Sequence, residues 1–271
     1  MRIPVQLAGI GMAGGLVLSL LAAGPVAAVS SAWRLGCTGT FTAPGRIAAG
    51  TYLSILVTGD CLGPATGTVI VKGDVTVAKG AALYANYPSF GPGIPEGDGT
   101  WDVAGNVNVA TGATLLLGCE PAVGCVNTTF NSVRGNVDAD GALGVILHSD
   151  IIHGNVSYDG GGGGVNCNPG PGAFGFGVYS DAEDDVIGGN LHVVGLRSCW
   201  FGEFRNIVFG HDTVDNNKFA DPDATEVQTN TVFGNLSCYG NTPGAQMGDS
   251  GGSPNIVLGK ARGECKAISI H

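Results

Sequence analysis

The chain has 271 residues, 48 of them Gly, with 12 Lys and Arg against 22 Asp and Glu for a formal net charge of −10. Six Glu and five Lys leave little material for exposed helix, whereas Val, Asn and Thr suit strands and turns, so the composition points to an all-β protein. The acidic balance argues against nucleic acid or an anionic membrane surface as a partner.

Arg2 is the only charge before a long uncharged run that reaches Ala28. This pattern predicts a secretory signal peptide over residues 1–28, with Val26-Ala27-Ala28 supplying small residues for cleavage after Ala28 and Ala32 marking a second possible site. A retained membrane anchor is the competing reading, since the run approaches the roughly 18 to 20 residues of a spanning helix. No Cys lies near its end, which argues against a lipid anchor. Residues 29–271 then form one domain, secreted and free of the membrane, and loss of Arg2 leaves 11 basic against 22 acidic groups, a net charge of −11.

From residue 73 onward one phrase recurs. Gly73-Asp74-Val75 is followed by Gly105-Asn106-Val107, Gly135-Asn136-Val137, Gly154-Asn155-Val156, Gly189-Asn190-Leu191, the degenerate Gly210-His211-Asp212 and Gly234-Asn235-Leu236. Successive intervals are 32, 30, 19, 35, 21 and 24 residues, as though the shorter were one turn of a winding chain and the longer one turn plus an insertion. The copies at 73 and 105 align without gaps, each predicting a three-residue strand, a turn at Gly80 or Gly112, and a second strand carrying Leu83 or Leu115. Strands so short bury a core only by stacking on their neighbours. The predicted fold is a right-handed parallel β-helix, a β-solenoid of about eight to ten turns at ~4.8 Å spacing. Asn at a fixed corner is expected to adopt the left-handed conformation and to bond through its amide to the Asn above and below, with the preceding Gly supplying a conformation few residues allow. A β-sandwich, the main rival, gives no reason for a phrase that always starts at the same place.

Eight cysteines, Cys37, Cys61, Cys119, Cys125, Cys167, Cys199, Cys238 and Cys265, follow the signal, and an even count in an exported chain implies disulfides. Their spacings contain no C-x-x-C pair, which argues against zinc. Connectivity does not follow from sequence in general; sequential pairing is expected because neighbours along a solenoid lie close, giving Cys37 with Cys61, Cys119 with Cys125, Cys167 with Cys199 and Cys238 with Cys265. The first and last pairs would close terminal caps over about residues 33–63 and 238–265. Insertions at 86–100, 118–129 and 160–172 mark loops where function would sit.

The Gly-Asp-Val-Thr-Val-Ala-Lys-Gly-Ala near residue 73, the later Gly-Asn-Val-x-Val phrases, and the ending Gly234-Asn235-Leu236-Ser237-Cys238, Gly240-Asn241-Thr242-Pro243 and Gly263-Glu264-Cys265 together resemble a group of uncharacterised secreted bacterial proteins with Gly-Asn-Val repeats. The resemblance covers most of residues 29–271. It implies a right-handed parallel β-helix and a Cys238–Cys265 disulfide, and no established activity. The loops at 86–100, 160–172 and 212–226 depart from it.

Three chemistries compete with a purely structural role. Gly248-Asp249-Ser250-Gly251-Gly252 spells the nucleophile loop of a trypsin-like serine protease. His148, His153, His192 and His211 sit in none of the contexts that such an enzyme's base requires, however, and Ser253 stands where that loop has Pro, so coincidence in a Gly-rich chain explains the match. A Ca²⁺-dependent polysaccharide lyase or hydrolase would use Asp181, Glu183, Asp184 and Asp185 as oxygen ligands, with Arg197, Arg205 or Lys218 handling a proton. Asp212, Asp215, Asp221, Asp223 and Glu226 make a second acidic stretch. The alternative for both is solvated turns. His192 is expected to point outward from a strand, and Trp101, Trp200 and Phe201 to pack under loops rather than line a sugar platform. Thr76, Thr111 and Thr114 do not continue into an ice-binding array. The expectation is a secreted, non-enzymatic surface, matrix or adhesion-type protein, without a catalytic residue, resident metal or cofactor, whose candidate partner is a glycan or cell-wall component.

Overall fold

A computed structural model describes residues 33–89, 95–121, 124–168 and 178–271. The predicted signal peptide and the latter part of the Gly-rich insertion at 160–172 lie outside the described residues. The described chain is nearly all β, with parallel pairing throughout its strand ladders.

A 19-stranded sheet holds two ladders, joined through Gly50–Val57, which pairs with one strand of each. The first ladder runs through Thr68–Val71, Thr100–Val103, Ser132–Val133, Ile151–Ile152, Val186–Ile187, Ile207–Val208, Thr231–Val232, Asn255–Val257 and Ser269–Ile270. The second runs through Val75–Val77, Val107–Val109, Val137–Asp140, Val156–Asp159, Leu191–Val194, Asp212–Asp215, Leu236–Tyr239 and Ala261–Gly263. An eight-stranded sheet forms a third ladder that includes Ala82–Tyr84, Thr114–Leu117, Gly144–His148, Tyr179–Glu183, Trp200–Phe204 and Glu226–Gln228. The chain visits the first, second and third ladders in turn from residue 100 to residue 228.

Alternation along each strand sends one set of side chains to the core. Val75, Val107, Val137, Val156, Leu191, Asp212 and Leu236 form one register column, so the recurring phrases pair directly. All are buried, as are Leu83 and Leu115 in the third ladder. Each fully buried Val or Leu contributes about 1.5 to 3 kcal/mol, which stacked short strands recover and an isolated one does not.

The conserved geometry of the phrase differs from the expected amide-to-amide ladder. Each side chain accepts from the backbone N–H of the next copy: Asn106 N–H donates to Asp74 Oδ1 (2.8 Å), Asn136 N–H to Asn106 Oδ1 (2.9 Å), Asn155 N–H to Asn136 Oδ1 (2.9 Å) and Asn190 N–H to Asn155 Oδ1 (2.8 Å). The series continues with His211 N–H to Asn190 Oδ1 (2.7 Å), Asn235 N–H to His211 Nδ1 (2.9 Å) and Lys260 N–H to Asn235 Oδ1 (3.0 Å). His211 therefore fits because Nδ1 accepts where an amide oxygen otherwise would. None of these Asn residues has a positive φ, and neither do the Gly residues before them. Glycine is needed for close approach instead: a Cβ on Gly135 would lie 2.6 Å from the Gly105 carbonyl oxygen. The left-handed positions fall at the following corner, at Gly80, Gly112, Gly141, Gly160, Gly195, Asn216 and Gly240.

All four sequential disulfides are present: Cys37–Cys61, Cys119–Cys125, Cys167–Cys199 and Cys238–Cys265. Cys37 and Cys61 are buried near the start of the described chain, and Cys238–Cys265 ties Leu236–Tyr239 to the 3-10 helix Glu264–Ile268. Four disulfides fit an oxidising, extracellular compartment. Among the described residues no helix is long and apolar enough to cross a membrane.

Candidate functional site

The corner between the third and first ladders carries a second, buried ladder that sequence reasoning missed. Asn131 Nδ2 donates to Asn86 Oδ1 (3.0 Å) and to Asp150 Oδ1 (2.7 Å); Asp150 N–H donates to Asp185 Oδ1 (2.8 Å) and Asp185 N–H to Asn206 Oδ1 (2.9 Å). Asn206 N–H donates to Asn230 Oδ1 (2.9 Å) and Asn230 N–H to Asn255 Oδ1 (3.0 Å). Each of Asn131, Asp150, Asp185, Asn206, Asn230 and Asn255 stands four residues before the Gly of a phrase, with an apolar residue two positions on. The longer phrase was thus visible, as was a further copy at Gly259-Lys260. Its position is filled by Asn at some copies and Asp at others, which hides the repeat.

At Asp150 and Asp185 a carboxyl replaces the amide, and burial raises both, Asp150 to about 7 and Asp185 well above the ordinary carboxylate range. Asn206, Asn230 and Asn255 donate through Nδ2 to the carbonyls of Ala182, Glu203 and Val227. Oδ2 of Asp150 and of Asp185 has no partner. A protonated carboxyl there can donate as an amide does. Asp185 is therefore part of the buried ladder rather than a surface Ca²⁺ ligand.

The residue before Asp150, Asp185, Asn206 and Asn230 is left-handed: Ser149, Asp184, Arg205 and Thr229 have φ of +59, +56, +58 and +62°. This stacks Arg205 on Asp184, with Nε 2.9 Å from Asp184 Oδ1 and Nη2 2.7 Å from Asp184 Oδ2. Nη2 also reaches Glu183 Oε2 (2.9 Å) and Glu120 Oε1 (3.5 Å). Hydrogen bonding and charge from Asp184 hold the guanidinium still more firmly protonated. Burial raises Glu183 to about 7, with Asp181 adding to the rise and His148 and Arg205 opposing it. Burial also raises Glu120, against the pull of His148.

Behind this group lies His148, fully buried, with Nε2 3.1 Å from Asp181 Oδ1. Burial pulls the imidazole down, but Asp181, Glu183 and Asp185 outweigh it and carry it to about 10. Gly118 leads the 118–129 loop across His148, so closely that any Cβ would strike the His148 carbonyl, and Glu120 comes from that loop. Gly202 lies against Trp200 and Phe204, which leave no room for a side chain there.

Of the predicted lyase residues, Asp181, Glu183, Asp184 and Arg205 converge, whereas Asp185 turns into the interior ladder. Arg197 is exposed on a separate pair, Arg197–Ser198 with Lys218–Phe219, and no ion pair among the described residues joins it to the cluster. The second acidic stretch also divides. Asp212 is buried in a column between Leu191 and Leu236, Asp215 Oδ1 accepts the Tyr239 N–H (2.8 Å), and Asp223 and Glu226 approach Asp249. Solvated turns therefore do not account for Asp181, Asp185 or Asp212. Asp212 meets Glu203, which projects inward between Ala182 and Val227; burial lifts Glu203 well above its ordinary range and Asp212 to about 7. Gly248 lies against the Glu226 side chain and the Gly252 N–H donates to Gln228 Oε1 (2.7 Å), so this loop caps the third ladder's outer face. Trp101 and Phe201 are buried, Trp200 is half-buried, and His192 is exposed.

The first ladder carries a row of exposed apolar side chains. Ile151, Ile207, Ile256 and Ile270 face outward beside Phe209, Phe233 and Leu258, each more than a third exposed. Phe209 and Phe233 stack with centroids 4.8 Å apart and planes at 15°. Compared with protein-family models, curated proteins and solved structures, the chain matches none.

Proposed function

We propose that this protein is a secreted, non-enzymatic right-handed parallel β-helix of the kind its Gly-Asn-Val resemblance implies, acting as a surface or adhesion component whose partner is a glycan or cell-wall polymer. The observation that carries this reading is the outward Phe209–Phe233 stack set among Ile207, Ile256 and Leu258. Exposed apolar side chains gathered on neighbouring strands, here around Thr231, mark an interaction surface, and stacked rings present flat faces to the C–H side of a sugar ring. The ladders support the winding: register partners run from one phrase to the next, and Cys37–Cys61 and Cys238–Cys265 would close the ends. The signal segment supports secretion.

The Ca²⁺-dependent lyase is less well supported, because Arg205 is engaged by Asp184, Glu183 and Glu120. A base held by three carboxyl groups is poorly placed to take a proton from substrate. The test pairs two assays on the purified protein: retention on insoluble glycans, and ultraviolet absorbance of a polyuronate with added Ca²⁺. Retention without a rise in absorbance is expected; a rise that Arg205→Ala abolishes would establish the lyase instead.

A further inference from the structure

Glu120, Asp181, Glu183 and Asp184 converge on one guanidinium and one imidazole. His148, Asp181 and Glu183 offer donor atoms that all lie within 4.8 Å of one another, and Glu120, Glu183 and Asp184 do the same, with Glu183 shared. The His148 side chain is 0 % exposed; its Nδ1 has no partner, and Nε2 meets Asp181 Oδ1 at 3.1 Å without the alignment of a hydrogen bond. Native interiors leave few buried polar atoms in this condition, and a missing ion is one cause. Two donors bound at about 2.0 to 2.2 Å to one tetrahedral ion sit roughly 3.4 Å apart. Nε2 and Oδ1, at 3.1 Å, need open by only a few tenths of an ångström.

We propose that His148 Nε2, Asp181 and Glu183 bind one divalent first-row transition cation of the zinc class, with Glu120 beside Glu183 on the covering loop and Arg205 orienting Glu183 from outside. Imidazole with carboxylates suits such ions, whereas Ca²⁺ needs six to eight oxygens and takes no imidazole. Bound there, the ion cross-links Gly144–His148 and Tyr179–Glu183 beneath the loop closed by Cys119–Cys125. It reinforces the scaffold where the 118–129 loop covers the third ladder's charged outer face.

The full chain, treated with chelator, is titrated with Zn²⁺ against a chromophoric competitor. One Zn²⁺ per chain is expected, unaffected by excess Ca²⁺, with affinity reduced about 100-fold or more in Asp181→Asn and His148→Gln. The exposed acidic group is the control: Asp223→Asn with Asp249→Asn should leave affinity unchanged. No stoichiometric binding, or binding lost in this control and kept in His148→Gln, overturns the site. Should the buried variants fail to fold, X-ray absorption on the wild-type protein loaded with Zn²⁺ decides. A single imidazole with oxygen donors supports the assignment; oxygen alone, sulfur, or several imidazoles refutes it.

Discussion

A methyl group on Gly135 would meet the Gly105 carbonyl oxygen at 2.6 Å, and Asn106 Oδ1 closer still. Gly135→Ala is therefore expected to destabilise by about 1 to 3 kcal/mol, although its φ suits any residue. Urea unfolding at wild-type stability would refute the close-approach reading. The recurrence of Gly-Asn was plain in the sequence, but its cause was not, since a glycine required by φ and one required by contact look alike. Asp212 was illegible for a different reason: Gly-His-Asp reads as a turn, yet the register of Leu191 and Leu236 places the carboxyl inside. There it faces Glu203, with Tyr158 near by, and burial raises both carboxyls. The folded state thus keeps protons that the unfolded chain releases near pH 4, so this stabilisation is complete below that pH and is lost as pH rises towards about 7. Thermal melting followed from pH 4 to 8 should show Tm falling, with a shallower fall in Asp212→Asn; identical slopes would remove the pair from the account.

At the scale of the element, the Asn and Asp ladder at the corner between the third and first ladders replaces what a turn alone would leave unsatisfied. Asn230 accepts the Asn206 N–H (2.9 Å) and donates to the Glu203 carbonyl (3.1 Å). Asn230→Ala strips partners from two buried groups, at about 1 to 3 kcal/mol each. Chemical denaturation should register at least the lower figure, and Asn230→Asp, which can donate once protonated, should recover part of it below pH 5. Equal losses in the two variants would show that hydrogen bonding is not the cause. The disulfides were legible because a chain that winds from ladder to ladder brings cysteines 6 to 32 residues apart back together. Cys238→Ser with Cys265→Ser opens a 27-residue separation and should cost about 3 kcal/mol on the chain-entropy model. Limited proteolysis should then begin near the C-terminal end; cleavage starting elsewhere would deny that disulfide its capping role.

For the whole molecule, strand class, alternation and the stacking of phrases could be read from residue spacing, because period-two patterning and fixed corners are local properties. The site could not. His148 and Glu120 are far from Asp181 in sequence and join it only through register and the 118–129 loop, while the outward apolar face is assembled one or two residues at a time from separate strands. That face is the centre of the functional proposal. The most direct measurement is retention of Phe209→Ala/Phe233→Ala and of wild type on insoluble glycans, with melting temperatures recorded for both. Wild type is expected to be retained and the double variant, equally stable, to be washed away. Equal retention of the two, or no retention of wild type on any glycan tested, would contradict it.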